Sequence, residues 1–164
     1  TELVDVAIER RGAVRRAARI GDACYLAPQV GFDDVRALIA AYRDERKSLG
    51  EDAGTVTISR GVAFGKDRDS AIAEAEESAR SSYRMYSTWN MQEDTMVRIN
   101  IESETKVDDW AIAGNPEDCI EGFSRLEAEG VSFVGATFYN LPPTLEGRKE
   151  YLQAFAEGVI QRME

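Results

Sequence analysis

The sequence predicts an α/β fold built on a largely parallel sheet. Three observations carry that reading. Segments with strand character alternate with segments of helical period, and the alternation repeats along the chain. Asp, Gly, Asn or Pro stands where most of these segments start or stop. The length of 164 residues, with 43% hydrophobic and 30% charged residues, suits a single globular domain over 1–164 that builds its core without staples.

The elements follow in order. Leu3 to Ile8 alternates weakly, as a short strand. Gly12 to Gly21 turns helical, with Val14, Ala17, Ala18 and Gly21 on one face. Asp22 to Ala27 reads as a buried strand ended by Pro28. Asp33 or Asp34 then caps a helix whose stripe is Val35, Leu38, Ile39, Tyr42, Arg46 and Leu49, with Gly50 as its stop. Thr55 to Phe64 is the clearest strand, rich in β-branched residues. Asp67 or Asp69 opens a long helix through Ala71, Ile72, Ala75, Ala79, Tyr83 and Tyr86. Trp89 to Gly114 is acidic and irregular, with a short strand candidate at Val97 to Ile101.

Asn115-Pro116-Glu117-Asp118 is a strong helix start: Asn caps, Pro suits the first turn, and the acids face the positive end of the helix dipole. That helix carries Cys119, Ile120, Phe123 and Leu126 and stops at Gly130. Val131 to Tyr139 is a strand, Pro142-Pro143 a loop, and Gly147 to Met163 an amphipathic helix through Leu152, Phe155, Val159 and Ile160. Four strands in this order fit either an open layer or half of an eight-stranded barrel, joined by right-handed crossovers.

Charge and composition exclude several functions. The formal net charge is −10 and the pI about 4.6, which argues against a nucleic-acid backbone as partner. Histidine is absent, so Ser-His and Cys-His nucleophilic systems and histidine metal sites are excluded, and no metal site is expected. Cys24 and Cys119 have no metal or CxxC spacing and read as reduced buried thiols of a cytoplasmic protein. No apolar run approaches the roughly 20 residues of a membrane helix, and the charged first stretch lacks a signal-peptide core. The chain opens at Thr1, which fits either removal of Met or a piece of a longer chain.

Several segments resemble one family. Ala13-Val14-Arg15-Arg16-Ala17-Ala18-Arg19-Ile20-Gly21-Asp22-Ala23 is similar to the "AxRRAARxGDxW" segment of luciferase-like flavin monooxygenases. Ala113-Gly114-Asn115-Pro116-Glu117-Asp118-Cys119-Ile120 resembles that family's "GTPEECIE" helix opening. It leads through Leu126 to Gly130-Val131, like the family's "LxxxGV" run. Thr57 to Ala75 resembles "RxVxVAxTxEEA", and Leu152 to Val159 resembles the "LxxFAEEV" ending.

In order and spacing these match the family's C-terminal half across nearly the whole chain. The resemblance implies about half of a TIM (β/α)8 barrel, strands five to eight. It implies FMN or the deazaflavin coenzyme at the C-terminal strand ends, a small organic substrate, and oxidoreductase or monooxygenase activity. An N-terminal half-barrel or a homo-oligomer would complete the fold.

The leading candidate site is the turn from the first strand into the first helix, Ala7 to Val14. In the family this turn holds the cofactor phosphate, with Gly-Ala-x-Ser where this chain has Ala7-Ile8-Glu9-Arg10. Glu9 repels a phosphate, whereas Arg10 and Arg11 attract it, and Gly12 and Ala13 offer backbone N–H groups. A second candidate is Arg60 to Asp69, another strand-to-helix turn, with Gly61, Gly65, Lys66 and Arg68 but no P-loop spacing. Trp89 and Trp110, with Met91 and Met96 between them, suit a lid or substrate wall. Tyr139, at the end of the last strand, suits a hydrogen bond to a ligand. Two alternatives compete: a non-catalytic half-barrel that binds or assembles, and an unrelated open α/β enzyme with a phosphate-bearing substrate.

Overall fold

The computed structural model describes residues 7–8, 11–28, 30–88, 109 and 111–163. They form two compact units, one of residues 1–60 with 121–137 and one of 61–120 with 138–164.

In the first unit, β1 (Ala7–Ile8) lies parallel to β2 (Ala23–Leu26), with Ala7 opposite Tyr25. In turn β2 lies parallel to β3 (Thr55–Phe64), from Ala23 opposite Thr55 to Leu26 opposite Ile58. The far side of β3 is taken by β5 (Phe133–Phe138). Ser132 N–H donates to Val56 O at 2.7 Å and Ser59 Oγ to Gly135 O at 3.4 Å. The partners advance together along both strands, so this pair is parallel too.

Helix α1 (Arg11–Ile20) buries Val14, Ala17 and Ala18, the i, i+3, i+4 face that its small residues allow to sit close. It packs on α2 (Phe32–Ser48), where Glu45 takes Arg19 at 2.6 Å and Arg15 at 3.9 Å. Val35, Tyr42, Cys24, Leu26, Val56 and Ile58 are all fully buried between helices and sheet.

In the second unit the last residues of β3 pair with β4 (Ala111–Gly114), from Gly61 opposite Ala111 to Phe64 opposite Gly114. Helix α3 (Arg68–Thr88) lies against an alanine core of Ala63, Ala71, Ala75, Ala111 and Ala113, with Ile72 and Tyr139 packed on it. Side chains this small set a close helix-to-sheet distance. Helix α4 (Pro116–Ala128) begins here and ends in the first unit. The chain closes with α5 (Leu145–Phe155), a π-helical turn Ala156–Ile160, and α6 (Gln161–Met163). Gly158 in the π turn sits against Pro116, and Arg162 holds Glu117 at 2.9 Å.

The structure changes the expected elements in four places. Asp33 and Asp34 stand in the first turn of α2, and Gly31 holds the cap position with no side-chain bond. Their carboxylates still favour the helix dipole. The last helix starts at Leu145, because Thr144 Oγ1 caps the Gly147 N–H at 3.2 Å.

Five strands stand where four were expected, since Ala111–Gly114 is a strand buried at every position inside the stretch read as irregular. An Ala-Ile-Ala-Gly run is too short and too rich in alanine to announce itself by β propensity. Finally, β5 pairs with β3 and not with β4, so strand order departs from simple succession. The Val97 to Ile101 strand candidate lies outside the described residues, as does most of Leu3 to Ile8.

Candidate functional site

Parallel α/β folds place their working groups at the C-terminal ends of the strands. In the first unit, the end of β1 leads into the start of α1. Arg11 and Gly12 are exposed, Ala13 is half-buried, and Val14 is the first core residue. Nothing lies within 4 Å of where a side chain on Gly12 would project. The first turn of α1 holds no acid, and its early N–H groups have no acceptor inside the helix. An anion can therefore approach this backbone, with Arg11 beside it. Arg10 and Glu9 lie outside the described residues, as do Trp89, Trp110, Met91 and Met96.

The end of β2 is held differently. Arg60 is fully buried, and its Nη1 donates to Pro28 O at 3.0 Å and Val30 O at 2.5 Å. Its guanidinium stacks 4.8 Å from the Phe32 ring, which Arg125 also approaches at 4.5 Å. Desolvation pushes the Arg60 pKa down to about 10, and the Arg125 charge adds to the effect. Arg125 in turn pairs with Asp33 at 2.9 Å. Arg60 thus clamps the β2–α2 loop. The sequence marks Arg60 only as the first residue of the Arg60 to Asp69 candidate turn; the structure turns it instead onto the loop after β2.

In the second unit, the ends of β3 and β5 are joined to α3 and α5 in one hydrogen-bonded cluster. Asn140 Nδ2 donates to Phe64 O at 3.0 Å and to Glu74 at 2.7 Å. The Tyr151 hydroxyl donates to Asn140 Oδ1 at 2.6 Å and accepts from the Phe64 N–H at 2.9 Å. Burial pushes the Tyr151 pKa up to about 12, so the hydroxyl stays a donor. Phe64, Phe138, Tyr151 and Phe155 meet edge to face, with Phe138 and Phe155 centroids 4.9 Å apart. Phe138 and Asn140 lie with Tyr139 in the strand end, Thr137 to Asn140, that the sequence marks as a candidate, and Phe64 lies in the Arg60 to Asp69 turn. Tyr151 and Glu74 carry no such mark, because each falls on a helix that is read for its apolar stripe.

Tyr139 is half-buried, and its ring lies on Gly61, where any Cβ would overlap it. Its N–H continues the β5–β3 pairing to Val62 O at 2.8 Å. In the Arg60 to Asp69 turn, Asp67 caps α3 by accepting from Ser70 N–H and Oγ at 2.9 Å each. Arg68 reaches Ala113 O at 3.4 Å and Asp118 at 4.0 Å. Lys66 is exposed. At the next turn Asn115 and Asp118 cap each other: Asp118 accepts from Asn115 N–H at 2.9 Å, and Asn115 Oδ1 from Asp118 N–H at 3.1 Å.

An open groove of about 610 Å³ is lined by Asp22, Arg46, Glu51, Asp52, Ala53, Gly54 and Thr55. It lies at the N-terminal ends of β2 and β3, the end of a parallel sheet associated with stability. Arg46 is occupied there by Asp52 Oδ1 at 3.0 Å, Asp52 O at 2.9 Å and Gly21 O at 3.3 Å. Among the described residues no acid or cysteine cluster could hold a metal ion, and no helix is long and apolar enough to cross a membrane.

These features define a class of fold before any protein: a parallel α/β chain with an anion-accessible helix start at one strand end. No protein-family profile and no curated protein matches the sequence. Solved structures do match. The chain is similar to a coenzyme F420-dependent tetrahydromethanopterin reductase from Methanopyrus kandleri, at 14% identity over 96% of this chain and 50% of that one, with a TM-score of 0.64.

It is also similar to the monooxygenase RslO1 from Streptomyces bottropensis, at 14% identity over 96% and 47%, with a TM-score of 0.65. A riboflavin lyase, solved with modified FMN and its substrate riboflavin, matches at 14% identity over 95% and 42%, with a TM-score of 0.60. The chain spans about half the length of the structures it matches. Its fold is that of roughly half of a luciferase-like (β/α)8 enzyme.

Proposed function

We propose that this chain is the half of a luciferase-like oxidoreductase that supplies strands five to eight and the phosphate end of the cofactor site. The observation that carries this is the likeness to F420-dependent and FMN-containing proteins over almost the entire chain. The start of α1 fits the group. Gly12 leaves the approach open, no acid stands in the first turn, and Arg11 adds positive charge to a chain whose net charge is −10.

The N–H groups of Arg11, Gly12 and Ala13 hold the phosphate of FMN or of the deazaflavin coenzyme, and Arg10 and Arg11 neutralise it. The bound cofactor supplies the redox chemistry. Arg60 fixes the neighbouring β2–α2 loop through its two carbonyl contacts. Trp89, Trp110 and Tyr139 bound a small organic substrate. The buried free thiols Cys24 and Cys119 suit a cytoplasmic protein. A second β/α half, from an N-terminal half-barrel or another copy, completes the site.

Fluorescence titration tests this reading. FMN and the deazaflavin coenzyme bind more tightly than riboflavin, which lacks the phosphate. Arg11→Ala weakens FMN binding about tenfold and leaves riboflavin unchanged, a loss on the scale of one charge-assisted contact. Failure of both cofactors to bind, with the chain alone and with an added N-terminal half, sinks the proposal. One observation favours the alternative of a non-catalytic half-barrel. Asn140, Tyr151 and Glu74 at the strand ends satisfy one another instead of facing a ligand. Cofactor binding without turnover of any substrate would select it.

A further inference from the structure

The sheet of the first unit ends on a strand that no other described strand covers on its outer edge. Among the described residues β5 pairs only with β3, so its other edge presents unpaired N–H and C=O groups. Its burial also lacks the alternation of a strand with one covered face. Ser132, Phe133, Gly135, Ala136 and Thr137 are all exposed, and Phe133 is 67% exposed. Strands of parallel sheets are ordinarily buried on both faces. At the opposite edge of the same unit stands β1, which among the described residues pairs only with β2. The strands of this unit, in the order β1-β2-β3-β5, all run in one direction.

We infer that a second copy of this chain covers β5, laying its β1 along the free edge while its own β5 takes the first copy's β1. Two points select a copy. The two free edges are complementary in direction, so a two-fold axis along the strands closes both seams at once, which an isologous assembly requires. Four strands from each copy make eight, the number that closes a (β/α) barrel. The inference rests on the half-barrel reading above and names its partner; it does not depend on the cofactor.

Net charge gives a further handle. Each copy carries −10, so association tightens as salt screens the repulsion.

Sedimentation velocity on the wild-type chain, over about a hundredfold range of concentration, is expected to show a reversible species of twice 18.2 kDa. Phe133→Lys puts a charge on the edge at an exposed position. It is expected to keep the far-UV circular dichroism spectrum and to raise the dissociation constant at least about tenfold. Hydrogen exchange in 132–137 is expected to slow in the dimer and to return to the monomer rate in the variant.

A chain that stays monomeric at every concentration and salt level overturns the inference. So does a dimer whose constant Phe133→Lys leaves unchanged, or one with no exchange protection in 132–137. A dimer that binds neither FMN nor the deazaflavin coenzyme leaves the pairing intact and sinks the cofactor reading. A monomer that binds either one does the reverse.

Discussion

Tyr151→Phe isolates the bond network that ties the strand ends of the second unit. The substitution removes one oxygen and keeps the ring, so the edge-to-face contacts to Phe64 and Phe138 survive. Two hydrogen bonds go: the one donated to Asn140 Oδ1 at 2.6 Å and the one accepted from the Phe64 N–H at 2.9 Å. At roughly 0.5–1.5 kcal/mol net each, the direct loss is about 1–3 kcal/mol. Tyr151 and Phe64 are only half-buried, so water recovers part of the cost of the orphaned amide.

The expected destabilisation is therefore about 2 kcal/mol, or a fall in Tm of roughly 4–8 °C for a domain of this size. Urea unfolding followed by circular dichroism reads it directly. Asn140→Ala completes a double-mutant cycle, with an expected coupling of about 1 kcal/mol. A loss below about 0.5 kcal/mol, together with additive single variants, would show that the network contributes nothing.

Two further outcomes follow from buried groups. Burial pushes Cys24 and Cys119 from 9.0 up to about 12 and Tyr151 from 10.0 up to about 12. The unfolded chain loses these protons first, so stability is fully present below pH 9 and falls as pH rises from there toward 12. Arg60, lowered to about 10, opposes the trend above that pH. Cys24→Ala with Cys119→Ala should flatten the chevron-derived stability between pH 9 and 10, and an unchanged slope would refute the assignment. Gly61→Ala places a Cβ inside the Tyr139 ring and must displace it, at about 1–3 kcal/mol. Tyr139→Ala in the same chain should recover most of that cost in thermal unfolding.

The long elements were legible because their signals are local. The stripe of α2, the β-branched run of β3 and the mutual cap of Asn115 and Asp118 each follow from a few neighbouring residues. The start of α1 was legible as a helix for the same reason, and Arg11, Gly12 and Ala13 stand in its first turn. What could not be read depends on distance in the chain. β4 becomes a strand only because Ala111 to Gly114 finds the end of β3 to pair with. Asn140, Tyr151 and Glu74 are far apart in sequence, and their hydrogen bonds exist only once a strand end and two helices meet. Arg60 is the sharpest case. An arginine in a strand ordinarily faces solvent, and its burial is explained by the carbonyls of Pro28 and Val30 and by the Phe32 ring, about thirty residues earlier.

These polar groups, Arg60 buried and Asn140 and Tyr151 half-buried, share one placement. Arg60 binds the loop after β2, while Asn140 and Tyr151 bind the ends of β3 and β5. The groove of the first unit, by contrast, opens at the N-terminal ends, where Arg46 is already saturated by Asp52 and Gly21. A buried arginine or an asparagine–tyrosine pair is a costly way to fill a core that leucine would fill. Placed at strand ends, such groups fix the geometry of the loops that follow. At the opening of α1, Gly12 is bare and Arg11 exposed. Within the first unit, the contrast between this open helix start and the groove with its saturated Arg46 is what the proposal above uses in placing the phosphate at the α1 turn.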